Sequence, residues 1–255
     1  MLTLPSPNMH PRDARFDWKA FAAEAIPTKT NFGPLEIVLT DIKTTFGEAR
    51  PALILDAGCG VGVVSRYMYS RGFSVVGVDI NESAINNARK STAGLIKVSD
   101  ECTTRYLNFS YADILRPTSP VIQANAFSGA VCQLVISIIG ADQDRAVLLT
   151  NLFNALRSGG YLYLSASGVS DDLNPMYAEL YCSDLEITKE PYTYLSRDDQ
   201  GRALYVTHHF SEEELRDLLQ AAGFSDIRID KKRETSSRRN SQSANFYYCY
   251  CRKPL

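Results

Sequence analysis

One stretch constrains the fold of this chain more than any other. The apolar run Leu53, Ile54, Leu55 leads through Asp56 and Ala57 into Gly58, Cys59, Gly60, Val61 and Gly62, and a second run, Val75, Val76, Gly77 and Val78, ends in Asp79. Short continuous apolar runs bounded by turn residues read as buried strands, and the glycines allow a sharp turn that brings the backbone close to a ligand. A helix starting just past such a turn presents unpaired N–H groups. Strand, glycine turn, helix and acid-tipped strand together describe a βαβ unit with a nucleotide-like cofactor site, where Asp79 would accept from both hydroxyls of a ribose. The sequence Asp79, Ile80, Asn81, Glu82 also fits a helix cap at Asp79.

The alternation continues. Strands are expected at Ala52–Asp56, Ser74–Val78, Thr104–Tyr111, Gly129–Ile136 and Tyr161–Ser165, with helices at Val61–Ser70, Glu82–Arg89 and Asp144–Arg157. Strands alternating with helices imply a parallel sheet covered on both faces, a doubly wound α/β fold. Upstream, Phe16–Ala25 and Leu35–Phe46 read as helical stretches separated by Pro27 and by Gly33 and Pro34, so residues 1–50 form a helical lid segment ahead of a main domain at 51–255. Residues 168–209 are rich in Asp, Tyr and Ser with little periodicity. They are too long for an ordinary connection, which marks a substrate-binding insertion after strand five. Ser211 with Glu214 three residues on caps a helix that stops at Gly223. Two last strands, Ile227–Arg233 and Phe246–Arg252, form an antiparallel hairpin at the sheet edge.

The glycine spacing is not that of a dinucleotide site, which wants a small residue where Val63 stands. Asp56 would repel a diphosphate and suits an amino-bearing ligand. Asp113, after Ala112 and before Ile114, is placed to accept from an adenine amino group. With Ala155, Leu156, Arg157, Ser158, Gly159, Gly160, Tyr161 and Leu162, and with Phe224 after Ala222 and Gly223, these motifs resemble those of the class I S-adenosylmethionine-dependent methyltransferases over roughly residues 50–230. The resemblance implies a mostly parallel seven-stranded Rossmann-like sheet and S-adenosyl-L-methionine as cofactor. It implies that Asp56, Ala57, Gly58, Gly60 and Gly62 surround the methionine part, Asp79 and Ile80 the ribose, and Ala112, Asp113 and Ile114 the adenine. Cys132 and Gln133, at the end of the fourth strand, would line the site near the transferred methyl. Ser128 stands where most members carry aspartate, and Ser158 where they carry proline.

An O- or N-methyltransferase of a small molecule, such as a secondary metabolite, is the leading expectation. An NAD-dependent oxidoreductase and a non-catalytic methyltransferase-like binding subunit are the alternatives. His208 and His209 are the candidate general bases, and either also reads as a surface histidine beside a helix cap, the expected role of at least one of them. Trp18, Phe21, Tyr177, Tyr181, Tyr192 and Tyr194, with Phe16, are candidates to line an apolar substrate pocket, some of them serving instead to anchor their segments. Nucleic acid is disfavoured by a net charge of −2 and by the lack of an Asn/Asp-Pro-Pro-aromatic run after strand four. The basic cluster Lys231, Lys232, Arg233, Arg238 and Arg239 reads as a solvated edge turn. No run is long and apolar enough for a membrane span, the N-terminus lacks the pattern of a secretory signal, and six scattered cysteines suit free thiols. A cytoplasmic protein without a metal site is expected, its oligomeric state left open.

Overall fold

The computed structural model describes Trp18 and residues 31–47, 51–93, 105–116, 119–198, 200–235 and 242–255. The expectations for Phe16, Phe21, the cysteine at 102, Arg238 and Arg239, and for most of the stretch 16–25, lie outside the described residues. The element order is α1 (Phe32–Phe46), β1 (Leu53–Ala57), α2 (Val63–Ser70), β2 (Ser74–Asp79), α3 (Glu82–Thr92), β3 (Leu107–Tyr111), β4 (Phe127–Gln133), α4 (Asp142–Ala155), β5 (Leu156–Ser167), α5 (Pro175–Thr188), β6 (Thr193–Arg197), β7 (Ala203–His208), α6 (Glu212–Ala221), β8 (Ser225–Thr235) and β9 (Ser243–Arg252).

Among the described residues, seven strands form one sheet in the order β3-β2-β1-β4-β5-β9-β8, and β6 and β7 pair separately. The pairs from β3 to β5 are parallel, and β9 lies antiparallel to both β5 and β8. The strand order reverses between β1 and β4, which opens a crevice at the carboxyl ends of those strands, the usual ligand position in an open α/β sheet.

Side-chain alternation along each strand divides the core into two layers. Leu55, Val76, Ala130, Leu162 and Leu164 face Leu148, Leu149 and Leu152 of α4 and Leu215 and Leu219 of α6. Their neighbours Ile54, Val75, Val131 and Tyr163 face Leu35, Val38, Leu39 and Ile42 of α1, Met68 of α2, and Ile85 and Ala88 of α3. Each fully buried Leu or Ile contributes about 1.5–3 kcal/mol, so covering both faces stabilises the parallel sheet heavily.

Several boundaries differ from the sequence expectation, each for a physical reason. Helix α1 starts at Phe32, because the Asn31 side chain accepts from the Gly33 N–H and Pro34 falls in the first turn, where it is tolerated. The cap of α3 is Asn81, whose side chain accepts from the Ala84 N–H at 2.8 Å, and not Asp79. Strand β4 runs Phe127–Gln133. It stops at Leu134, which has φ +60°, and Ile136 lies in a 3-10 turn, Ile136–Ile138. A register shift between Phe127 and Gly129 falls at Ser128. Helix α4 ends at Ala155 and β5 starts at the next residue, so Gly159 (φ +71°) and Gly160 lie within the strand rather than in a turn before it. The insertion is not loosely patterned. It holds α5, capped by Asn174 with Pro175 at its start, and the β6–β7 hairpin.

Candidate active site

The loop from β1 to α2 is fixed by backbone bonds to the neighbouring strand. Gly58 and Cys59 both donate their N–H to the Val78 carbonyl, at 2.8 and 3.0 Å. Gly58 has φ +75°, and a Cβ there would stand 2.3 Å from Cγ2 of Val135, so only glycine fits this approach. Gly62 caps α2 in the left-handed region, φ +78°, with no side-chain bond to the first turn.

Asp79 closes the loop from the β2 side. Its Oδ2 accepts from the Gly60 N–H at 2.7 Å and its Oδ1 from the Asn81 N–H at 2.8 Å. A carboxylate has about four lone-pair sites, so each oxygen keeps capacity for a ligand hydroxyl. Burial raises the Asp79 pKa, against the N–H groups of Asn81, Gly60 and Ile80, which lower it.

Asp56 is 2% exposed, and Ser65 of α2 donates its hydroxyl to Oδ2. Burial, with a smaller contribution from the charge of Asp79, pushes its carboxyl up to about 7, against the Ser65 bond that lowers it. Asp56 is therefore poised between its two charge states near neutral pH. The same burial, with Asp56 and Asp79 nearby, raises the Cys59 thiol well above its usual range. It stays protonated and unreactive.

On the β3 side, Asp113 accepts from the Leu115 N–H at 2.9 Å through Oδ1, and Ala112 and Ile114 are buried beside it. Ile80 and Gln133 are half-buried at the ends of β2 and β4. Cys132 is fully buried in the layer under α4, so its side chain faces the core and only its backbone reaches the strand end. Leu134 is a non-glycine residue in the left-handed region beside that end. Such strain persists only where the surroundings enforce it, and here the Leu134 N–H is held by the Ser165 carbonyl at 3.0 Å.

The two candidate bases are not surface residues. His208 is 2% exposed and both its ring nitrogens are engaged: Nδ1 with Thr193 Oγ1 at 2.6 Å, Nε2 with Glu214 at 2.9 Å. Arg145 of α4, buried, grips Glu190 with two bonds of 2.6 and 2.7 Å and stands 4.0 Å from Glu214. Burial opposes ionisation of Glu190, yet the Arg145 contact holds its carboxyl below the usual range. Glu190, His208 and Glu214 place ligand atoms within 4.8 Å of one another, the spacing of a metal site. The Arg145 guanidinium already pairs with Glu190 and both His208 nitrogens are spent, so the set works as an ion-pair lock between α4, the insertion and α6.

His209, equally buried, sits among tyrosines. Its Nδ1 meets Tyr181 Oη at 2.6 Å, its Nε2 meets Tyr194 Oη at 3.4 Å, and the Tyr177 ring centre lies 4.9 Å away. These three tyrosines are buried, in the layer that includes Cys59 of the glycine loop. Tyr192 is exposed, its ring edge-on to Tyr181 at 5.5 Å. The strand pair joins the sheet here, because Val169 donates to the Phe210 carbonyl and Phe210 to that of Ser167.

Trp18 lies between the two regions. Its carbonyl accepts from Nδ2 of Asn81 at 2.8 Å, and its indole packs on Tyr205 of β7 at 4.6 Å between ring centres. Sequence reasoning named Trp18 but not its partners, which are far apart along the chain.

A family model described as a methyltransferase domain matches residues 36–229. The chain belongs to the methyltransferase-domain family. That membership sets aside the oxidoreductase alternative. The domain is similar to a solved S-adenosylmethionine-dependent methyltransferase from Methanosarcina mazei, at 28% identity and a TM-score of 0.71, over 84% of this chain and 97% of the other. The 1,6-didemethyltoxoflavin-N1-methyltransferase of Burkholderia thailandensis shares the fold, with a TM-score of 0.63 at 18% identity, over 100% of this chain and 93% of that one. A curated relative, the S-adenosyl-L-methionine-dependent Diels-Alderase of Talaromyces variabilis, is 25% identical over 179 residues, which are 68% of this chain and 53% of the relative. The chain thus spans about half the length of that relative. Among the described residues, no helix is long and apolar enough to cross a membrane.

Proposed function

We propose that this chain binds S-adenosylmethionine at the carboxyl ends of β1–β4 and transfers its methyl group to an oxygen or nitrogen of a small molecule. Asp79 carries the reading. It stands at the tip of β2 in a methyltransferase domain, oriented by two backbone N–H groups, with a lone pair left on each oxygen for a ribose hydroxyl. The surrounding residues fit the same ligand. Ala57, Gly58, Gly60 and Gly62 form a close-approach loop for the methionine part, and Ile80 packs beside the ribose. Ala112 and Ile114 give an apolar wall for adenine, and the second oxygen of Asp113 suits its amino group.

The cofactor supplies an activated methyl on a sulfonium. The chain supplies position and charge: Asp56, titrating near 7, ionises when a cationic amino acid is brought close and balances it in a dry site. Residues 168–209 form the acceptor side over the main domain at 51–255, with Trp18 packed at their border, whereas α1 belongs to the core layer under the sheet. The formal net charge of −2 argues for a small molecule over nucleic acid.

A second reading is favoured by the histidines. Because all four of their ring nitrogens are bonded to the protein, neither His208 nor His209 offers a free base for a hydroxyl acceptor. A cyclisation that needs no proton transfer, run in the same cleft with the cofactor unconsumed, suits that arrangement and the similarity to a Diels-Alderase.

Calorimetry with S-adenosylhomocysteine tests the cofactor site. Saturable binding is expected, with none for NAD, and tight NAD binding with no response to S-adenosylhomocysteine would sink the proposal. A panel of phenols, amines and carboxylates then separates the readings. Methyl transfer releases one S-adenosylhomocysteine per product, whereas cyclisation forms an isomer of its substrate and releases none.

A further inference from the structure

We propose that Trp18 couples the cofactor pocket to the insertion, so that filling the first rigidifies the second. The inference rests on the cofactor reading above. Asn81 is the junction. Its backbone N–H is held by Asp79, its Oδ1 caps α3 at the Ala84 N–H, and its Nδ2 holds the Trp18 carbonyl, each at 2.8 Å. Asn81 is 1% exposed, so this triple engagement has little room to rearrange without moving a partner. A ribose drawn onto Asp79 therefore acts on the residue that fixes Trp18.

On its other side, the Trp18 indole lies against Tyr205 of β7. Tyr205 pairs with Ser196 of β6, and three residues along the same strand His208 pairs with Thr193. The next residue, His209, is the centre of the tyrosine cluster. One residue thus joins the tip of β2 to the hairpin, its backbone carbonyl held by Asn81 and its ring set against Tyr205. Because coupling is reciprocal, whatever orders the hairpin also tightens the cofactor site by the same factor.

Hydrogen exchange read by mass spectrometry, with S-adenosylhomocysteine as the probe, tests this on the full chain. In the unsubstituted protein the ligand is expected to slow exchange at the glycine loop, 58–62, and about tenfold across 193–208. In Trp18→Ala the loop should stay protected and the hairpin protection should vanish, and Trp18→Phe, which keeps a ring, should restore it. Tyr205→Ala gives a second route to the same loss if Trp18→Ala folds poorly. Trp18 is the only tryptophan in the chain, so its emission should change with the calorimetric midpoint.

Hairpin protection that survives in Trp18→Ala, or that is missing in the unsubstituted protein while the loop is protected, overturns the coupling and leaves the cofactor reading intact. Absence of any binding heat or protection overturns both.

Discussion

The β1–β3 strand tips and the insertion satisfy their polar groups by opposite means. Around β1–β3, backbone bonds fix the carboxylates and the loop: Gly60 and Asn81 donate to Asp79, Leu115 donates to Asp113, and Gly58 and Cys59 donate to Val78. In the insertion, side chains lock one another: Arg145 with Glu190, His208 with Thr193 and Glu214, His209 with Tyr181 and Tyr194. The first arrangement leaves acceptor capacity facing the crevice, as a binding site must. The second consumes nearly all its capacity internally, as a scaffold does. Ligand affinity should therefore depend on the first side, and substitutions on the second should cost stability with little change in affinity.

The largest effect that would break this contrast is at Asp79. If Asp79 holds the ribose as proposed, Asp79→Ala removes two charge-assisted contacts of about 1.5–3 kcal/mol each, and affinity for S-adenosylhomocysteine should fall about a thousandfold by calorimetry. A loss of less than tenfold would mean that the acid only holds Gly60 and Asn81.

Asp56 gives the next effect, in pH. Its folded pKa, about 7, lies above the ordinary 3.8, so between those values the folded state keeps a proton that the unfolded chain has lost. The contribution of Asp56 to stability is then greatest below about pH 4, falls by about 4 kcal/mol as pH rises through 7, and is flat beyond. Asp56→Asn keeps an acceptor for Ser65 and should remove this slope in urea unfolding. Cofactor affinity should move the other way in the unsubstituted protein, rising from pH 6 to 8 as Asp56 ionises, and should stay level in the variant.

The same division explains what the sequence makes legible. The β1–β5 framework reads out because its apolar residues follow the period of each element and because glycines mark where the backbone must turn. The cofactor-side residues follow from it, since strand tips are positions along the chain. Helix α5 escaped notice for a compositional reason. Its buried positions, Tyr177, Tyr181, Asp184 and Thr188, have helical spacing, but two of the four are polar, and Asp184 is buried because Arg197 pairs with it at 2.7 Å. The burial of the histidines is not legible in the sequence because it depends on partners brought in by tertiary structure, Thr193 and Glu214 for His208 and Tyr181 and Tyr194 for His209. The early stop of β4 rests on one φ angle at Leu134, for which no residue type in the sequence is a signal.

On the scaffold side, Arg145→Ala should leave Glu190 and Glu214 without their cation. Removing one partner of a buried ion pair costs about 3 kcal/mol, and that loss should appear in denaturant unfolding, with S-adenosylhomocysteine affinity changed less than threefold. A large loss of affinity without a loss of stability would move the cluster to the binding side of the comparison.

The smallest effect decides most about mechanism. If His208 were a general base, its replacement would cut turnover by about 10²–10⁴-fold. Its geometry argues otherwise, because a base must offer a lone pair to the acceptor, and here Thr193 and Glu214 occupy both ring nitrogens. His208→Gln should therefore cost about 1 kcal/mol in unfolding, the worth of an ordinary hydrogen bond, and change turnover by no more than a few-fold. His209→Gln provides the internal contrast. It disturbs a cluster tied to Cys59 of the glycine loop through one buried layer, so any catalytic defect should be larger there, and equal defects at the two positions would mean that the insertion acts as a single rigid unit.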